Sequence, residues 1–316
     1  MRAGVVGAGL AGLMAARTLR DAGHDVVVFD KGPSPGGRLA TRRIGGARVD
    51  HGAQFFTVRD ETFERLVARW RGDGLVYEWC RGFDREDGYP RYAVRGGMNA
   101  LAKHLASGLD VRCRSLVFRT GRSPAGGWRI GLDDATSVDV DALVMTCPLP
   151  QTYSLLFTSE VQMPDLLWRT EYDRTLALLV VLDGPSAVPT PGGMQGPPRG
   201  DPVFNFIGDN QQKGISDLPA LTFHASAAWS DEHWDDPPEV AHQALLDLAR
   251  PWFGASGVVE AQHKRWRFAT PRSIWPEPCW TPDHVGSVAV AGDAFAGPKV
   301  EGAALSGIAA AHALLG

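Results

Sequence analysis

The chain has 316 residues, of which 44% are hydrophobic and 22% charged, with a formal net charge of −4. That balance belongs to a water-soluble globular protein of one large or two ordinary domains, and it excludes a disordered chain. Lys and Arg are scattered without a basic stripe, which argues against a nucleic-acid partner, and no apolar run reaches membrane-spanning length.

Arg2 to Val6 is a short apolar run that reads as a buried parallel strand, and it leads directly into GAGLAG. Gly7, Gly9 and Gly12 have the G-x-G-x-x-G spacing, which serves a tight turn, a close approach to a pyrophosphate and close packing of the next helix. That helix, about Leu10 to Ala22, aims its N-terminal N–H groups at phosphate and is stopped by Gly23. Asp25 to Asp30 is a second strand, and Asp30 lies 21 positions after Gly9, where an acid accepts a bond from a ribose hydroxyl. Strand, turn, helix, strand and acid in register predict a dinucleotide site. The first strand begins at residue 2, which predicts that there is no signal peptide and that the protein is cytoplasmic.

KGPSPGGRLATRR follows the acid at once. A second glycine pair here, Gly36 and Gly37 before Arg38, resembles the extended fingerprint of the glutathione reductase and amine oxidase superfamily of flavoproteins. By that resemblance the dinucleotide is FAD, and the GGR loop passes its pyrophosphate. Arg38 suits a phosphate through its planar fork, while a solvated basic loop with Arg42 and Arg43 is the other reading.

Two short strands follow, one ending near Ile44 and one over Ala47 to Val49, before the polar turn Asp50, His51, Gly52. Ala53, Gln54, Phe55 and Phe56 complete a D-x-G-A-Q-[FY]-[FY] string that resembles renalases and their bacterial relatives. His51 and Gln54 either face a flavin or substrate or cap turns. Glu61 to Arg71 is an amphipathic helix with Phe63, Leu66, Val67 and Trp70 on one side. Val76 to Trp79 reads as a strand, DREDGYP as a polar turn, and Asn99 to Leu105 as a helix after Gly96 and Gly97. Val111 to Thr120, Trp128 to Leu132, Ser137 to Val140 and Asp141 to Thr146 are strand-like, and the first domain pauses near residue 150.

Beyond it, Leu176 to Leu182 is an apolar strand and Gly184 to Pro202 a Pro and Gly loop. Val203 to Ile207 and Leu221 to Ala225 are further strands, and Glu239 to Arg250 is a helix. This suits a mainly antiparallel sheet with helices on one side. Trp229, Trp234, Trp252, Trp266, Trp275 and Trp280 crowd this half, either as pocket walls or as packing. Cys80, Cys113, Cys147 and Cys279 are far apart, the nine histidines stand singly, and no metal or serine-nucleophile motif is written.

Val285 to Ala291 is a strand ending in Gly292 and Asp293, followed by AFAGPKVEGAALSG and a small-residue helix. This resembles the C-terminal FAD motif of the same superfamily, and GPKVEGAALSG its bacterial renalase-like version. HKRWRFATPR, around Trp266, resembles the strand that returns the chain to the flavin domain. There Arg267 or Arg272 holds a substrate anion or is simply exposed.

The expected fold is therefore α/β: a Rossmann-like FAD-binding domain (1–50, 96–150, 271–316) with an inserted α+β substrate domain (51–95, 151–270) built on a mainly antiparallel sheet. The resemblance assigns non-covalent FAD to Gly7, Gly9, Ala11, Gly12, Asp30, Lys31, Gly37, Arg38, Gln54, Gly292, Asp293, Val300, Glu301, Gly302 and Ala303. Substrate falls to His51, Phe55, Trp229 and Trp266, with no catalytic residue assigned. The implied activity is that of renalases, which oxidise isomeric dihydronicotinamides (NAD(P)H isomers) by hydride transfer to flavin and pass the electrons to O2. An amine oxidase or desaturase of a small metabolite, with Lys264 or Lys299 as unaligned lysines, is the alternative, and a non-catalytic flavoprotein such as a redox sensor a third.

Overall fold

The computed structural model describes residues 1–83, 86–159, 161–196, 203–297 and 299–316. The chain divides into two units, one of residues 1–39, 101–171 and 270–316, the other of residues 40–100 and 172–269.

The first unit is built on a five-stranded parallel sheet in the order Val288–Val290, Ala142–Met145, Arg2–Val6, Asp25–Asp30, Asp110–Cys113. The three central strands are almost wholly buried, so they are written as continuous apolar runs rather than alternating ones. Helix Leu10–Asp21 packs against the C-terminal helix Lys299–Leu315, and a Cβ on Gly307 would stand 2.1 Å from the Ala11 carbonyl oxygen. Only glycine allows that approach. A three-stranded antiparallel sheet (Val117–Arg122, Trp128–Leu132, Ser137–Val140) lies against the first strand, with Ile130 at the position a Cβ on Gly4 would need.

The second unit carries a five-stranded sheet in the order Gly193–Gln195, Phe204–Asp209, Ala220–Ala225, Tyr172–Leu182, Val258–Pro271. Its first four strands pair antiparallel. Alternation sends Leu176, Leu178, Val180, Leu221 and Phe223 to one face, where Ala241 and Leu245 of helix Pro238–Ala249 cover them. Leu179, Val181 and Ala220 point to the other face and meet Ile44, Ala47 and Val49 of the hairpin Thr41–Ile44 and Ala47–Asp50. Helix Glu61–Gly72 is capped by Asp60, whose carboxylate accepts from the Thr62 and Phe63 N–H groups.

Several boundaries differ from the expected ones. Residues 40–50 belong to the second unit because the hairpin buries its apolar side on that unit's sheet. Residues 96–100 follow them, with the Met98 N–H donating to Asp50. Residues 151–171 stay in the first unit, where helix Leu149–Phe157 is tied to strand Val117–Arg122: Thr120 donates to the Leu155 carbonyl and Ser159 to the Thr120 carbonyl, both at 2.7 Å. The predicted strand Val111 to Thr120 is two strands broken at Arg114, whose φ of 56° leaves extended geometry, so each half joins a different sheet. Glu86–Val94 is strand where DREDGYP reads as a turn. A two-stranded ribbon wets one side, so polar side chains suit it, and Arg91 pairs along it with Asp87. Residues 84 and 85 of that stretch lie outside the described residues, as do 197–202 of the Pro and Gly loop, in which Gly193–Gln195 forms an edge strand.

Candidate active site

In the first unit the glycine turn is shaped by what surrounds each residue. Gly7 has φ of 109° and donates its N–H to the Phe29 carbonyl at 2.8 Å. A Cβ on Gly12 would stand 1.9 Å from the Gly7 carbonyl oxygen, so helix and strand close on each other there. At Gly9 no atom lies within 4 Å of where a Cβ would be. The main chain is thus closed behind Gly12 and open in front of Gly9, the arrangement a pyrophosphate requires. The helix beginning at Leu10 has no side-chain cap and no acid in its first turn, which leaves its N–H groups and positive dipole end for an anion.

Asp30 closes the turn from the next strand. One carboxylate oxygen accepts from the Ala8 N–H and the other from the Gly32 N–H, each at 2.7 Å. Each oxygen keeps a second lone pair, enough for ribose hydroxyls. The following loop lies on the turn, since the Gly36 N–H donates to the Ala8 carbonyl at 2.8 Å and Gly36 bridges Gly9. Lys31 is exposed on this loop. Arg38 donates both arms of its guanidinium to Asp293, at 2.5 and 2.8 Å. The two ends of the chain's cofactor motifs are therefore joined directly, and Gly292 is held in turn by its N–H bond to Ser306.

Val300, Glu301, Gly302 and Ala303 form the first turn of the terminal helix. Gly302 sits so close to Gly297 that a Cβ would fall 1.6 Å from the Gly297 carbonyl oxygen. Cys147, just past strand Ala142–Met145, is half-buried, and the loss of water around it is the chief cause that pushes its thiol up to about 12, so it stays protonated. These residues fit an FAD: an open Gly9, unoccupied helix N–H donors, an acid at the ribose position and a second helix N-terminus.

In the second unit a β-bulge between Phe204 and Phe206 shifts the register against strand Ala220–Ala225. Phe204 enters the helix-covered core, whereas Phe206 sits opposite His224 on the other face. Phe206 meets Phe55 at 6.2 Å and Phe83 at 6.0 Å between ring centroids, and Phe55 meets Trp79 edge-on at 6.3 Å. Arg91 lies over the Phe83 ring.

His51 stacks on Trp266 with centroids 5.4 Å apart and planes 25° from parallel. The His51 carbonyl accepts from Trp266 Nε1 at 2.8 Å and from His224 Nε2 at 3.2 Å, which requires His224 to carry its proton on Nε2. His51 Nδ1 is buried without a hydrogen-bond partner. Burial lowers the His51 pKa to about 4, helped by Lys264, His224 and Arg42 in that order, and burial also lowers His224 to about 4. Both imidazoles are neutral at pH 7.

Beneath this turn lies a group that sequence reasoning missed. Lys213 donates to Asp50 Oδ2 at 2.9 Å, to Gln54 Oε1 at 3.1 Å and to the Gln54 carbonyl at 3.2 Å, which uses all three of its N–H bonds. Asp50 Oδ1 accepts from Thr41 Oγ1 at 2.5 Å and from the Met98 N–H at 2.9 Å. Gln54 spends its amide N–H groups on the Asp50 and Gly52 carbonyls. In these bonds it braces the turn, with both amide N–H groups engaged within it. Trp229 is set apart from the other expected substrate residues. It packs against the opposite, helix-covered core and on the His233 ring at 4.1 Å.

A Rossmann-type unit with an FAD-shaped glycine turn, in one chain with an antiparallel sheet bearing an aromatic face, defines a flavoprotein oxidoreductase. The chain belongs to the family of flavin-containing amine oxidoreductases, which matches residues 66–315, while residues 5–70 match the NAD(P)-binding Rossmann-like domain. Its cofactor is FAD. AofH of Mycobacterium tuberculosis is 51% identical over 90 residues, covering 23% of this chain and 20% of that protein. The phytoene desaturase (neurosporene-forming) of Rhodobacter capsulatus is 34% identical over 138 residues, covering 42% and 24%. The matched segments thus span about a fifth to a quarter of these relatives' lengths. Cyclohexylamine oxidase from Brevibacterium oxydans shares the fold, with a TM-score of 0.72 at 14% identity over 99% of this chain and 98% of that one. Membership in a family of oxidoreductases sets aside the non-catalytic reading. Among the described residues no cluster of His, Cys, Asp or Glu is placed to hold a metal, and no helix is long and apolar enough to cross a membrane.

Proposed function

We propose that the protein is a renalase-like oxidase in which non-covalently bound FAD takes a hydride from an isomeric dihydronicotinamide nucleotide and O2 accepts the electrons. The observation that carries this reading is the His51–Trp266 stack, a flat π surface beside an imidazole that is neutral at pH 7. A dihydronicotinamide already holds a labile hydride and needs orientation rather than an ionised base. Trp266 supplies the platform, His51 Nδ1 supplies one unsatisfied hydrogen-bonding atom, and the Phe55 and Phe206 rings exclude water. The buried Lys213–Asp50 pair holds the turn that carries His51.

Amine oxidation is the second reading, favoured by the family match and by relatives such as Polyamine oxidase 1 of Oryza sativa. The two are separated by anaerobic mixing of the purified flavoprotein with isomeric dihydronicotinamides, β-NADH and a panel of amines. Bleaching of the flavin band by the isomers alone is expected. Bleaching by an amine alone transfers the assignment to amine oxidation.

A further inference from the structure

We propose that Lys264 and Arg42 form an oxyanion site beside His51, which takes a phosphate or carboxylate group of the substrate. The site rests on the reading of the His51–Trp266 face as the substrate face, and it names the chemistry of the molecule bound there.

Alternation along strand Val258–Pro271 puts Lys264 on the same side as Trp266, one pleat away. In the facing hairpin, alternation puts Arg42 on the same side as Ile44, which packs against Leu179 and Val181 of the same sheet. Arg42 therefore continues the hairpin's sheet-facing row toward Lys264. Both cations act on the His51 imidazole, and Arg42 also acts on Lys264. Among the described residues neither cation has a carboxylate partner. The carboxylate on the same strand face, Glu260, accepts from Gln262 at 2.9 Å and lies against Gly45 at the hairpin tip. The Asp50 charge is neutralised by Lys213.

Two like charges on one face without a counter-charge repel each other, and both discourage protonation of the His51 imidazole. That is a costly arrangement in a free protein and a favourable one when an anion enters. The same field disfavours a substrate ammonium. Arg267, the sequence-based candidate for this role, is on the opposite side of the strand from Trp266 and exposed.

The test is calorimetric titration of the FAD-loaded protein with inorganic phosphate, acetate and chloride at constant ionic strength. Phosphate or acetate is expected to bind at least tenfold more tightly than chloride, and the tighter of the two identifies the phosphate or carboxylate source. Lys264→Met and Arg42→Met should each weaken that binding at least fivefold, and Lys264→Arg should restore it, with flavin content unchanged. In an independent readout, the His51 imidazole resonance should titrate at higher pH in Lys264→Met and in the presence of the bound anion. Binding no tighter than chloride, or equal binding in the Met variants, overturns the site. If the anion binds as expected but no dihydronicotinamide or amine reduces the flavin, the function assigned above fails while the oxyanion site stands.

Discussion

Lys213 Nζ lies 2.9 Å from Asp50 Oδ2, and the two side chains expose 1% and 0% of their surface. Their partners are Thr41 on the first strand of the hairpin, the Met98 N–H and Gln54, so one ion pair organises the ground beneath His51.

Removing one member of that pair leaves the other charged and buried. Lys213→Met or Asp50→Asn is expected to cost about 3–5 kcal/mol in urea unfolding, far more than any exposed ion pair of this chain. The double variant should recover part of that loss. A single variant as stable as the wild type would show the pair to be dispensable.

Asp30 ties the glycine turn to the second strand by accepting from Ala8 and Gly32. Asp30→Ala removes both bonds along with the acid expected to accept from the ribose. The purified variant should retain clearly less FAD than the wild type. Undiminished flavin content after gel filtration would refute that role.

Arg38 and Asp293 are part-exposed and joined by two charge-assisted bonds. Arg38→Ala leaves the Asp293 carboxylate unneutralised where the pyrophosphate is expected to pass. FAD affinity should fall by about tenfold or more, equivalent to about 1.4 kcal/mol or more, measured by flavin fluorescence on dilution. Asp293→Asn, which removes the negative charge instead, should fall less.

The depressed imidazoles set an acid limit. His51 and His224 have folded pKa values of about 4, both chiefly through burial, against 6.5 in the unfolded chain. Between those values the unfolded state binds more protons, so stability rises with pH through this window and is lost as pH falls from 6.5 toward 4. The effect is on the order of 3 kcal/mol per imidazole at full extent. Denaturation midpoints measured from pH 4 to 8 should show the slope, and His51→Gln should flatten it.

Cys147 is half-buried with its thiol pushed up to about 12 and therefore protonated, and a thiolate is the form that bonds to a flavin ring. Acid precipitation should therefore release all the flavin into the supernatant. Yellow colour that stays with the pellet would mean a covalent link.

The cofactor unit was legible because its information is local. The spacing of Gly7, Gly9 and Gly12, the apolar runs on either side and the acid at Asp30 lie within one strand, helix and strand, where chain geometry follows directly from residue type. The break at Arg114 was not legible, because an arginine in the left-handed region carries no signature of its own.

What the sequence by itself determined is the strand–turn–helix–strand core and the dinucleotide chemistry of the first unit, through short-range periodicity and glycine spacing. Only the tertiary structure decided that Lys213 meets Asp50 across 163 positions, that Arg38 meets Asp293 across 255, and that His51 stacks on Trp266 rather than joining Trp229. Those meetings depend on strand order, on register and on the bulge that turns Phe206 toward His224. Each is the sum of many weak packing preferences along the whole chain, and no local pattern of residues encodes such a sum.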